Sequence, residues 1–409
     1  MSLKRVVITG VGAVSPLGNT VGELVGGVEE GKCAVKSMDE WRKYNGLRSL
    51  VGAPAELKNM EAIPRQRRRS MSRISIFSVQ AAEQALVDAG LDKSRLSSGR
   101  IGCIIGSTMG GTQSISEAFE MIIPDRDISR LTSTKLFQCF SHTAAMNVSQ
   151  YLEINGFVMA TCAACASGLQ AIGTGYDLIR LGRQDAVLCG GAEELHPIVA
   201  ASFDVLYAAS TKFNDRPQKS SRPFDRDRDG VVCGEGCGVV VLEDYEQARK
   251  RKARIYGEII GYNTNGSGVH VSQSNAEAMA ACIRDALKEA QIEPGAVDYI
   301  NAHATATVQG DQSEVKAIKE IFGSDVPISS LKGHIGHTLG ASGVLELIVT
   351  LAMMDKQVIY PTLNLENIAD DCQGINHVVK SFNKTINTFV TNCFAFGGIN
   401  SVMVCKKLN

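Results

Sequence analysis

The sequence predicts an α/β protein made of two related halves, and three pairs of matching segments support this fold class. Along the 409 residues, 84–107 match 285–304, 166–190 match 341–361, and 234–244 match 396–407, in that order. One such match could arise by chance, whereas three in order indicate an internal duplication. We place the junction near 245–255, which predicts an N-terminal half over 1–250 and a C-terminal half over 251–409.

Each matched pair predicts the same local structure in both halves. In the first pair, "QALVDAGLDKSRLSSGRIGCIIGS" and "DALKEAQIEPGAVDYINAHA" both carry the end of an amphipathic helix, a polar connection and an apolar strand. In the second pair, both segments open with Ala-Ser-Gly, continue as a helix and end in a strand. In the third pair, both segments have a glycine-containing turn followed by a strand. Short strands that alternate with helices indicate layered α/β structure with mixed sheets.

Composition argues against several classes of protein. The formal net charge of −1 disfavours a protein that binds nucleic acid or a membrane surface. No apolar run reaches the ~18–20 residues that a membrane-spanning helix needs. The start, "MSLKRVVITGVGAVSP", lacks the apolar core and cleavage site of a signal peptide. We therefore expect the 12 cysteines to be reduced thiols of a cytoplasmic enzyme.

The stretch "TCAACASGLQAIGTGYDLIRLGR" holds Cys162 and Cys165 just before a predicted helix. Apolar residues recur at helical spacing on one face of that helix: Leu169, Ile172, Tyr176 and Ile179. Gly168, Gly173 and Gly175 each cost roughly 1 kcal/mol of helix propensity, so we expect very close packing there. Cys165 would lie at the helix N-terminus, where unpaired N–H groups and the helix dipole lower a thiol pKa and favour a nucleophilic thiolate.

Two other interpretations of the Cys-x-x-Cys spacing are weaker. A zinc site needs four ligands, usually from a second such pair or a nearby His-x-x-x-His segment, and the chain has no second pair. A thioredoxin-like redox pair belongs to a domain of about 100 residues, which the duplicated frame does not fit. We therefore take Cys165 as the nucleophile and expect Cys162 to be a buried neighbour.

Two of the 7 histidines stand in segments that suit a catalytic cleft. His303 lies in "NAHATATVQGD", just after an apolar strand, and His337 lies in "SSLKGHIGHTLGASG", at the start of the second Ala-Ser-Gly helix. Pseudo-twofold packing of the halves would bring both helix starts together and place Cys165 beside an imidazole. A three-histidine metal site that adds His334 is disfavoured, because no carboxylate is close and the segment is rich in glycine. The other histidines are expected to be structural: His142, His196, His270 and His377.

A nucleophilic thiol and two neutral imidazoles suit thioester chemistry that needs no metal or redox cofactor. The thiol accepts an acyl group by transthioesterification. The imidazoles then donate hydrogen bonds to the thioester carbonyl of a second substrate, which stabilises the enolate formed by decarboxylation. That enolate attacks the acyl-cysteine and forms a carbon–carbon bond. Cofactor motifs are not matched, since "TGVGAVSPLG" lacks dinucleotide-site spacing and "DRDRDG" lacks EF-hand spacing.

Eight segments, in order, resemble the elongating, type II β-ketoacyl-[acyl-carrier-protein] synthases of the thiolase superfamily. They are "VVITGVGAVSPLG", "IGSTMGG", "CASG", "GGAEE", "SRPFDRDRDGVVCGEG", "HATAT…GD", "LKGHIGHTLGASG" and "FAFGGIN". The resemblance implies a thiolase-like fold with layers in the order α-β-α-β-α. It also implies decarboxylative Claisen condensation of malonyl-carrier protein with an acyl group, without a cofactor. Acyl carrier protein is the implied partner, and a homodimer or a heterodimer with a related synthase is the implied assembly.

The resemblance assigns roles to the reactive residues by motif. Cys165 resembles the acyl-accepting nucleophile of the family, and His303 and His337 resemble its two catalytic histidines. Lys332 and Glu346 stand where the family has a lysine and a helical glutamate that support the site.

The resemblance also assigns residues that bind the substrate. The backbone N–H groups of Cys165 and Phe396 resemble the oxyanion hole, and Phe396 resembles the gate of the acyl pocket. Thr305 and Thr307 resemble the pair that touches the pantetheine arm. Phe394 joins the substrate-binding residues, and Met109 resembles a residue that lines the far end of the acyl pocket.

Several positions depart from the family pattern. Ala304 replaces a usual glycine, His334 is an added histidine, and Phe224 replaces a usual tryptophan. A positive φ at Ala304 would cost about 1 kcal/mol or more and change the loop. These departures leave the substrate open, so a specialised polyketide or aryl-polyene ketosynthase is an alternative. A chain-length-factor partner subunit usually lacks the nucleophile that Cys165 supplies, and a degradative thiolase uses a cysteine where this chain has His337.

"PRQRRRSMSR", residues 64–73, is the one strongly basic cluster. A solvated helix start is one interpretation. A nucleic-acid site is another, but no aromatic residue is interleaved with the arginines. Elongating synthases have a similar basic helix near the pocket entrance, so the resemblance favours a docking patch for the acidic carrier protein, formed by Arg67, Arg68 and Arg69.

Overall fold

The computed structural model describes residues 3–408 and has a mixed α/β architecture. The N-terminal half contains β1 (Val6–Val14), α1 (Val21–Glu29), β2 (Lys36–Ser37), β3 (Val51–Gly52), α2 (Arg65–Arg68), α3 (Arg73–Ala89), β4 (Ile101–Gly106), α4 (Thr112–Ile122), α5 (Ser133–Cys139), α6 (Thr143–Tyr151), β5 (Val158–Met159), α7 (Ser167–Arg180), β6 (Ala186–Glu193), α8 (Pro197–Asp204), β7 (Gly236–Asp244) and α9 (Tyr245–Lys250). Among the described helices, none is both long and apolar enough to cross a membrane.

The C-terminal half repeats the alternation of strands and helices. It contains β8 (Gly257–Gly266), α10 (Ala276–Ala290), β9 (Tyr299–Asn301), α11 (Val308–Phe322), β10 (Pro327–Ser329), α12 (Lys332–Ile335), α13 (Ser342–Lys356), β11 (Val358–Ile359), β12 (Asn376–His377), β13 (Phe382–Asn383), β14 (Thr388–Ala395) and β15 (Ile399–Lys406).

One large sheet runs through both halves, and its strand order reveals the duplication. The order is β12-β10-β9-β14-β15-β8-β1-β7-β6-β4-β5. At the centre, β1 pairs antiparallel with β8, and Val6 lies opposite Ile259. Strands β7, β6, β4 and β5 follow outward from β1, while β15, β14, β9 and β10 follow outward from β8. On both sides the first two pairings are antiparallel and the next is parallel, so the two halves have the same topology.

Helices cover both faces of each half of the sheet. On the outer faces, α3 packs on β1, β6 and β7, and α10 packs on β8 and β15. Between the halves, α7 and α13 share one buried core. The outer helices have separate cores, which contain Phe77 in one half and Ile283 in the other. This α-β-α-β-α layering confirms the predicted fold class.

The two central helices begin against each other because glycines allow the approach. A Cβ on Gly168 would lie 2.5 Å from the carbonyl oxygen of Gly340, and a Cβ on Gly191 would also collide with that oxygen. Only glycine allows the backbones to come this close. Three residues before each helix the chain is left-handed, with φ of 48° at Ala164 and 49° at Leu339. Both halves therefore enter their central helix through the same turn.

One part of the predicted repeat is wrong. The match of 166–190 with 341–361 predicts equivalent strands after the two central helices. The strand after α7 is β6 in the large sheet, whereas the strand after α13 is β11, which pairs with β13 in a separate two-stranded sheet. The place equivalent to β6 is taken by β14, which lies between β9 and β15 as β6 lies between β4 and β7. A short apolar run after a helix has the same pattern in either sheet, so the pattern could not distinguish them.

Candidate active site

Cys165 lies in the turn that leads into α7, and its thiol is buried. The hydroxyl of Ser167 holds this turn by accepting the N–H of Ala163 at 2.8 Å and donating to the carbonyl of Ala164 at 2.7 Å. The predicted location of Cys165 at a helix start is confirmed. The sulfur faces His337, which lies in the segment that leads into α13.

His303 and His337 face this thiol from the other half of the chain. Nε2 of His337 lies 2.9 Å from Sγ of Cys165. The two imidazole rings meet edge to face, with centroids 5.2 Å apart. Donor atoms of all three side chains lie within 4.8 Å of one another. The structure therefore brings together the three residues that the sequence predicts to react.

Both ring nitrogens of His337 have partners, which sets the orientation of the ring. The residue follows Gly336, whose φ is 65°. Its N–H donates to the carbonyl of Val232 at 2.7 Å, and its own carbonyl accepts the N–H of Gly234 at 2.8 Å. On the side away from the thiol, Nδ1 lies 2.9 Å from Oγ of Ser342, the first residue of α13.

A buried carboxylate, Glu314, holds the loop that carries His303. Its two oxygens accept the N–H of His303 at 2.8 Å and the N–H of Ala304 at 2.7 Å. The side-chain amide of Asn392 donates to the same carboxylate at 3.1 Å. The suspected strain at Ala304 is not found, because the left-handed residue of this loop is Ala306, with φ of 67°. The Cβ of Ala304 is therefore tolerated where the family usually has glycine.

Lys332 and Glu346 form a buried ion pair behind the histidines. Nζ of Lys332 lies 2.6 Å from Oε1 of Glu346, and the amide of Asn301 donates to Oε2 at 3.3 Å. Burial raises the pKa of Glu346, although the positive charge of Lys332 opposes that shift. The two residues that the resemblance assigned as supports thus contact each other.

Burial keeps the reactive groups neutral. Burial lowers the pKa of His303 well below its ordinary value, and Lys332 and His337 lower it further. Burial and Lys332 also lower the pKa of His337 well below its ordinary value. Burial raises the pKa of the Cys165 thiol to about 12, and Lys332 and the N–H groups of Cys165 and Phe396 offset this only in part.

The prediction that the helix N-terminus favours a thiolate at Cys165 is therefore wrong. Burial raises the pKa of the thiol by more than Lys332 and the nearby backbone N–H groups lower it. A neutral thiol beside a neutral imidazole donates its hydrogen to the bare ring nitrogen. We therefore take Cys165 as the donor to Nε2 of His337, which places the ring proton of His337 on Nδ1.

The thiol and both histidines border one cavity. Seven of the residues assigned to the site from the sequence line it: Cys165, His303, His337, Thr305, Thr307, Phe394 and Phe396. Further lining residues were not singled out from the sequence and include Phe203, Val231, Val271, Ser272, Met279 and Asn400. Phe396 stacks on Phe203 with ring centroids 5.2 Å apart. Phe203 lies in an ordinary apolar helix pattern, so the sequence carried no signal of its role.

Two residues that were expected inside face outward. Cys162 is exposed rather than buried, and its sulfur lies 3.5 Å from the carbonyl of Thr108. Met109 is 37% exposed and does not line the cavity within this chain, so the expected pocket position is not met here. The cause is the same for both residues, because their loops lie next to β5, an exposed strand at the edge of the large sheet.

The three arginines of the basic cluster lie on or just after α2 and do not line the cavity. Arg67 and Arg69 are exposed, and Arg68 is partly exposed. Arg67 donates to Oε1 of Glu153 at 3.0 Å and to the carbonyl of Gln150 at 3.0 Å. Arg68 donates to the backbone carbonyl of Met60, which precedes α2.

The added His334 does not join a metal site. It is buried, and its Nδ1 lies 2.9 Å from the carbonyl oxygen of Lys32. Phe224, the other departure, is buried with φ of 64° against the ring of His377. Among residues 3–408, the side chains whose donor atoms converge as metal ligands would are Cys165, His303 and His337.

Comparisons with known proteins identify the family of the chain. The family model for the β-ketoacyl synthase N-terminal domain matches residues 3–248, and that for the C-terminal domain matches residues 256–366. The 3-oxoacyl-[acyl-carrier-protein] synthase 1 of Haemophilus influenzae is 34% identical over 409 residues, and the alignment covers 100% of both chains.

Solved structures are similar over the same length. A β-ketoacyl synthase from Burkholderia phymatum has 40% identity and a TM-score of 0.96, covering 99% of this chain and 100% of that chain. A type II polyketide ketosynthase solved in complex with its acyl-carrier protein has 32% identity and a TM-score of 0.92, with 100% of both chains covered. The family resemblance drawn from eight short segments is thus confirmed over the full length, and the chain belongs to the β-ketoacyl synthase family.

Proposed function

We propose that the protein is a 3-oxoacyl-[acyl-carrier-protein] synthase, which extends an acyl chain by two carbons from malonyl-carrier protein and releases CO2. The observation that carries the proposal is the 2.9 Å contact between Sγ of Cys165 and Nε2 of His337 at the wall of one cavity, with His303 beside it. Relatives that match the whole chain have this name.

In the first half-reaction, Cys165 takes the acyl group. Its sulfur attacks the carbonyl of an acyl thioester while its proton passes to Nε2 of His337. The bond to the pantetheine sulfur then breaks, and that sulfur leaves with the proton. Because the raised pKa of Cys165 keeps its thiol protonated and the lowered pKa of His337 keeps its ring neutral, a neutral base at this distance suits the step.

In the second half-reaction, His303 and His337 donate hydrogen bonds to the carbonyl of the malonyl thioester. Loss of CO2 leaves an enolate, whose negative oxygen these donors stabilise. The enolate carbon attacks the acyl carbonyl, a carbon–carbon bond forms, and the bond to Sγ of Cys165 breaks. The thiolate then takes up a proton. The lowered pKa values of both histidines support neutral donors in this step.

The remaining assigned residues would support these steps. The N–H groups of Cys165 and Phe396 favour negative charge at the thiol sulfur, which supports their role as the oxyanion hole. The charge of Lys332, held by Glu346, lies close enough to lower the pKa of both histidines and would favour the enolate. The cavity wall includes Thr305 and Thr307, as a pantetheine channel requires, and Phe394 and Phe396 as its aromatic side.

A specialised polyketide or aryl-polyene ketosynthase is the second candidate. Its support is the TM-score of 0.92 to a type II polyketide ketosynthase and also to the ishigamide ketosynthase/chain length factor, together with the departures at Phe224 and Ala304. The buried thiol of Cys165 disfavours a non-catalytic chain-length-factor subunit, and His337 disfavours a degradative thiolase. Assays with carrier proteins that bear acyl chains of graded length and unsaturation distinguish the two candidates.

The proposal includes a homodimer that covers the exposed apolar surface around the edge strand β5. The exposed apolar side chains of β5 and of the chain from 109 to 140 include Met109, Phe119, Met121, Phe137, Phe140, Val158 and Met159. An unpaired edge strand with apolar surroundings is a site for association. Cover by a second copy would also bury Met109, where the family has a pocket residue. A heterodimer with a related synthase would use the same surface.

The proposal places the protein in the cytoplasm and gives it no metal or organic cofactor, because phosphopantetheine on the carrier delivers the substrates. Every cysteine in the described chain is free, as in proteins of reducing compartments. Stoichiometric metal in the purified protein by elemental analysis would contradict this part of the proposal.

Acyl transfer tests the nucleophile first. Cys165→Ala should abolish acylation by acyl-carrier protein, whereas the matched Cys162→Ala should be acylated as the wild type is. The two variants distinguish specific acyl transfer from modification of an accessible thiol, because Cys162 is exposed and Cys165 is buried. The measurement is peptide mass mapping after incubation and digestion. An acyl group on Cys162 would overturn the assignment.

Alanine variants of the two histidines should separate the half-reactions. His337 contacts the sulfur, so His337→Ala should slow both acylation and condensation by roughly 100-fold or more, the lower range for a general acid or base. His303→Ala should lose condensation to a similar extent and keep acylation within about threefold. Acyl-enzyme mass and CO2 release measure the two steps. Wild-type condensation in either variant would remove that histidine from the mechanism.

Reversing the charge of Arg67, Arg68 and Arg69 together should weaken carrier-protein binding. The exposed Arg67–Glu153 pair is worth at most about 1 kcal/mol, so Arg67 is free to exchange partners. Small pantetheine thioesters should react at unchanged rates. Wild-type binding should fall with salt, because exposed charges are screened within about 10 Å at 0.1 M. Equal losses on both substrate types would assign the arginines to the fold instead.

Sedimentation velocity tests the assembly. The purified protein should sediment as a dimer at micromolar concentration, and Val158→Asp should shift it toward monomer because the charge falls on the edge strand. The matched control is Val87→Asp, at an exposed valine on the outer helix α3, which should leave the dimer intact. A wild-type monomer would contradict the homodimer.

A further inference from the structure

The side of His337 that faces away from the thiol contacts two hydroxyl groups in series. Oγ of Ser342 lies 2.9 Å from Nδ1 of His337 and 3.1 Å from Oγ1 of Thr338. All three side chains are buried, with no more than 1% exposed. Together with the contact between Nε2 and Sγ, they form one hydrogen-bonded chain from Cys165 to Thr338.

The matching serine of the other half has a different use. Ser167 begins α7 as Ser342 begins α13. The hydroxyl of Ser167 contacts only backbone groups and holds its own turn. The hydroxyl of Ser342 contacts only side chains, and one of them is the imidazole that touches the thiol. Its position therefore relates to the ring of His337 rather than to the turn.

The two proposed half-reactions require opposite hydrogen bonds at Nδ1. While the Cys165 thiol donates to Nε2, the ring proton lies on Nδ1, and the neighbour of Nδ1 must accept. When His337 donates from Nε2 to a substrate carbonyl, Nδ1 is bare, and the same neighbour must donate. A backbone N–H only donates and a carbonyl only accepts, whereas a hydroxyl does both by rotating.

We propose that Ser342 is a positioning residue that lets His337 change tautomer between the half-reactions, accepting from Nδ1–H in the free enzyme and donating to Nδ1 in the acyl-enzyme. The inference rests on the proposed function. The thiol proton leaves with the pantetheine thiol. In the tautomer change Nε2 takes up one proton from water in the vacated cavity and Nδ1 releases one proton to water through the hydroxyl of Ser342, so the ring is neutral before and after. Thr338 gives the rotating hydroxyl a partner.

Nitrogen NMR of protein labelled with ¹⁵N-histidine reads the tautomer directly. In the free wild type, the proton of His337 should lie on Nδ1, and after acylation by hexanoyl-pantetheine it should lie on Nε2. In free Ser342→Ala, the proton should already lie on Nε2, because a buried N–H without a partner costs more than a bare nitrogen. His337→Gln assigns the signal. One unchanged tautomer in both wild-type states would overturn the proposal.

Rates of the separate half-reactions give the second readout. Ser342→Ala should slow acylation by roughly tenfold, the effect expected for one lost hydrogen bond, and slow condensation of pre-formed acyl-enzyme by less than about threefold. Ser342→Thr keeps the hydroxyl and should restore acylation. The matched control is Ser78→Ala, since that buried helical hydroxyl donates to its own helix at 2.8 Å. It should change neither rate.

The outcomes also separate this inference from the proposed function. Equal losses in both half-reactions, or no loss in Ser342→Ala, would make Ser342 a merely structural residue. If hexanoyl-pantetheine did not acylate wild-type Cys165, the proposed function would fail. The tautomers of His337 in the free wild type and in free Ser342→Ala would still show whether the hydroxyl determines which ring nitrogen carries the proton.

Discussion

The starts of α7 and α13 lie against each other, and this contact is possible only because Gly168 and Gly191 leave room for the carbonyl of Gly340. The two halves of the sheet contribute one helix each to this contact. Cys165 belongs to one helix start and His337 precedes the other, so the same contact that closes the core creates the 2.9 Å distance between thiol and imidazole. A larger residue at either glycine would move the helices apart and separate the reactive atoms.

Close packing also determines the electrostatics of the site. The thiol and both histidines are almost wholly buried, so charge is costly there and burial favours the neutral form of all three groups. The same burial forces polar groups to find partners within the protein. Glu193 accepts the N–H of Gly340 at 3.1 Å and that of Thr108 at 2.9 Å, and burial raises its pKa to about 7. The reactivity of the thiol therefore depends on a nearby base rather than on a standing negative charge.

The two halves have the same backbone arrangement because of the duplication, whereas the side chains that react differ between equivalent positions. The Ala-Ser-Gly helices share their left-handed approach, yet Cys165 stands in one copy where Gly340 stands in the other. A Cβ on Gly340 would lie 2.9 Å from Cα of Ser107, whereas the side chain of Cys165 points its thiol at His337. Ser167 and Ser342 differ in the same way, since one holds a turn and the other contacts the imidazole. Equivalent backbones thus carry unequal side-chain roles.

Local pattern was sufficient to predict the α/β class, the duplication and the helix that begins beside Cys165. These features depend on periodicity and on short motifs, both of which can be recognised in short stretches of the sequence. The meeting of Cys165 with His337 also followed from the sequence, because a repeated Ala-Ser-Gly motif implies pseudo-symmetric helix starts. His303 was predicted separately, from its loop after an apolar strand and from the family resemblance. The eight family segments added the supporting residues Lys332 and Glu346.

Only the tertiary structure decided which groups are buried and what they contact across the fold. It placed Cys162 at the surface, raised the pKa of Cys165 rather than lowering it, and put β14 rather than β11 in the place equivalent to β6. It also added Phe203, which had no signal in the sequence, and Ser342, which the sequence marked only as part of the repeated Ala-Ser-Gly motif. Burial and long-range contacts depend on how distant segments pack, and a linear pattern that reports only the period of each segment does not contain that information.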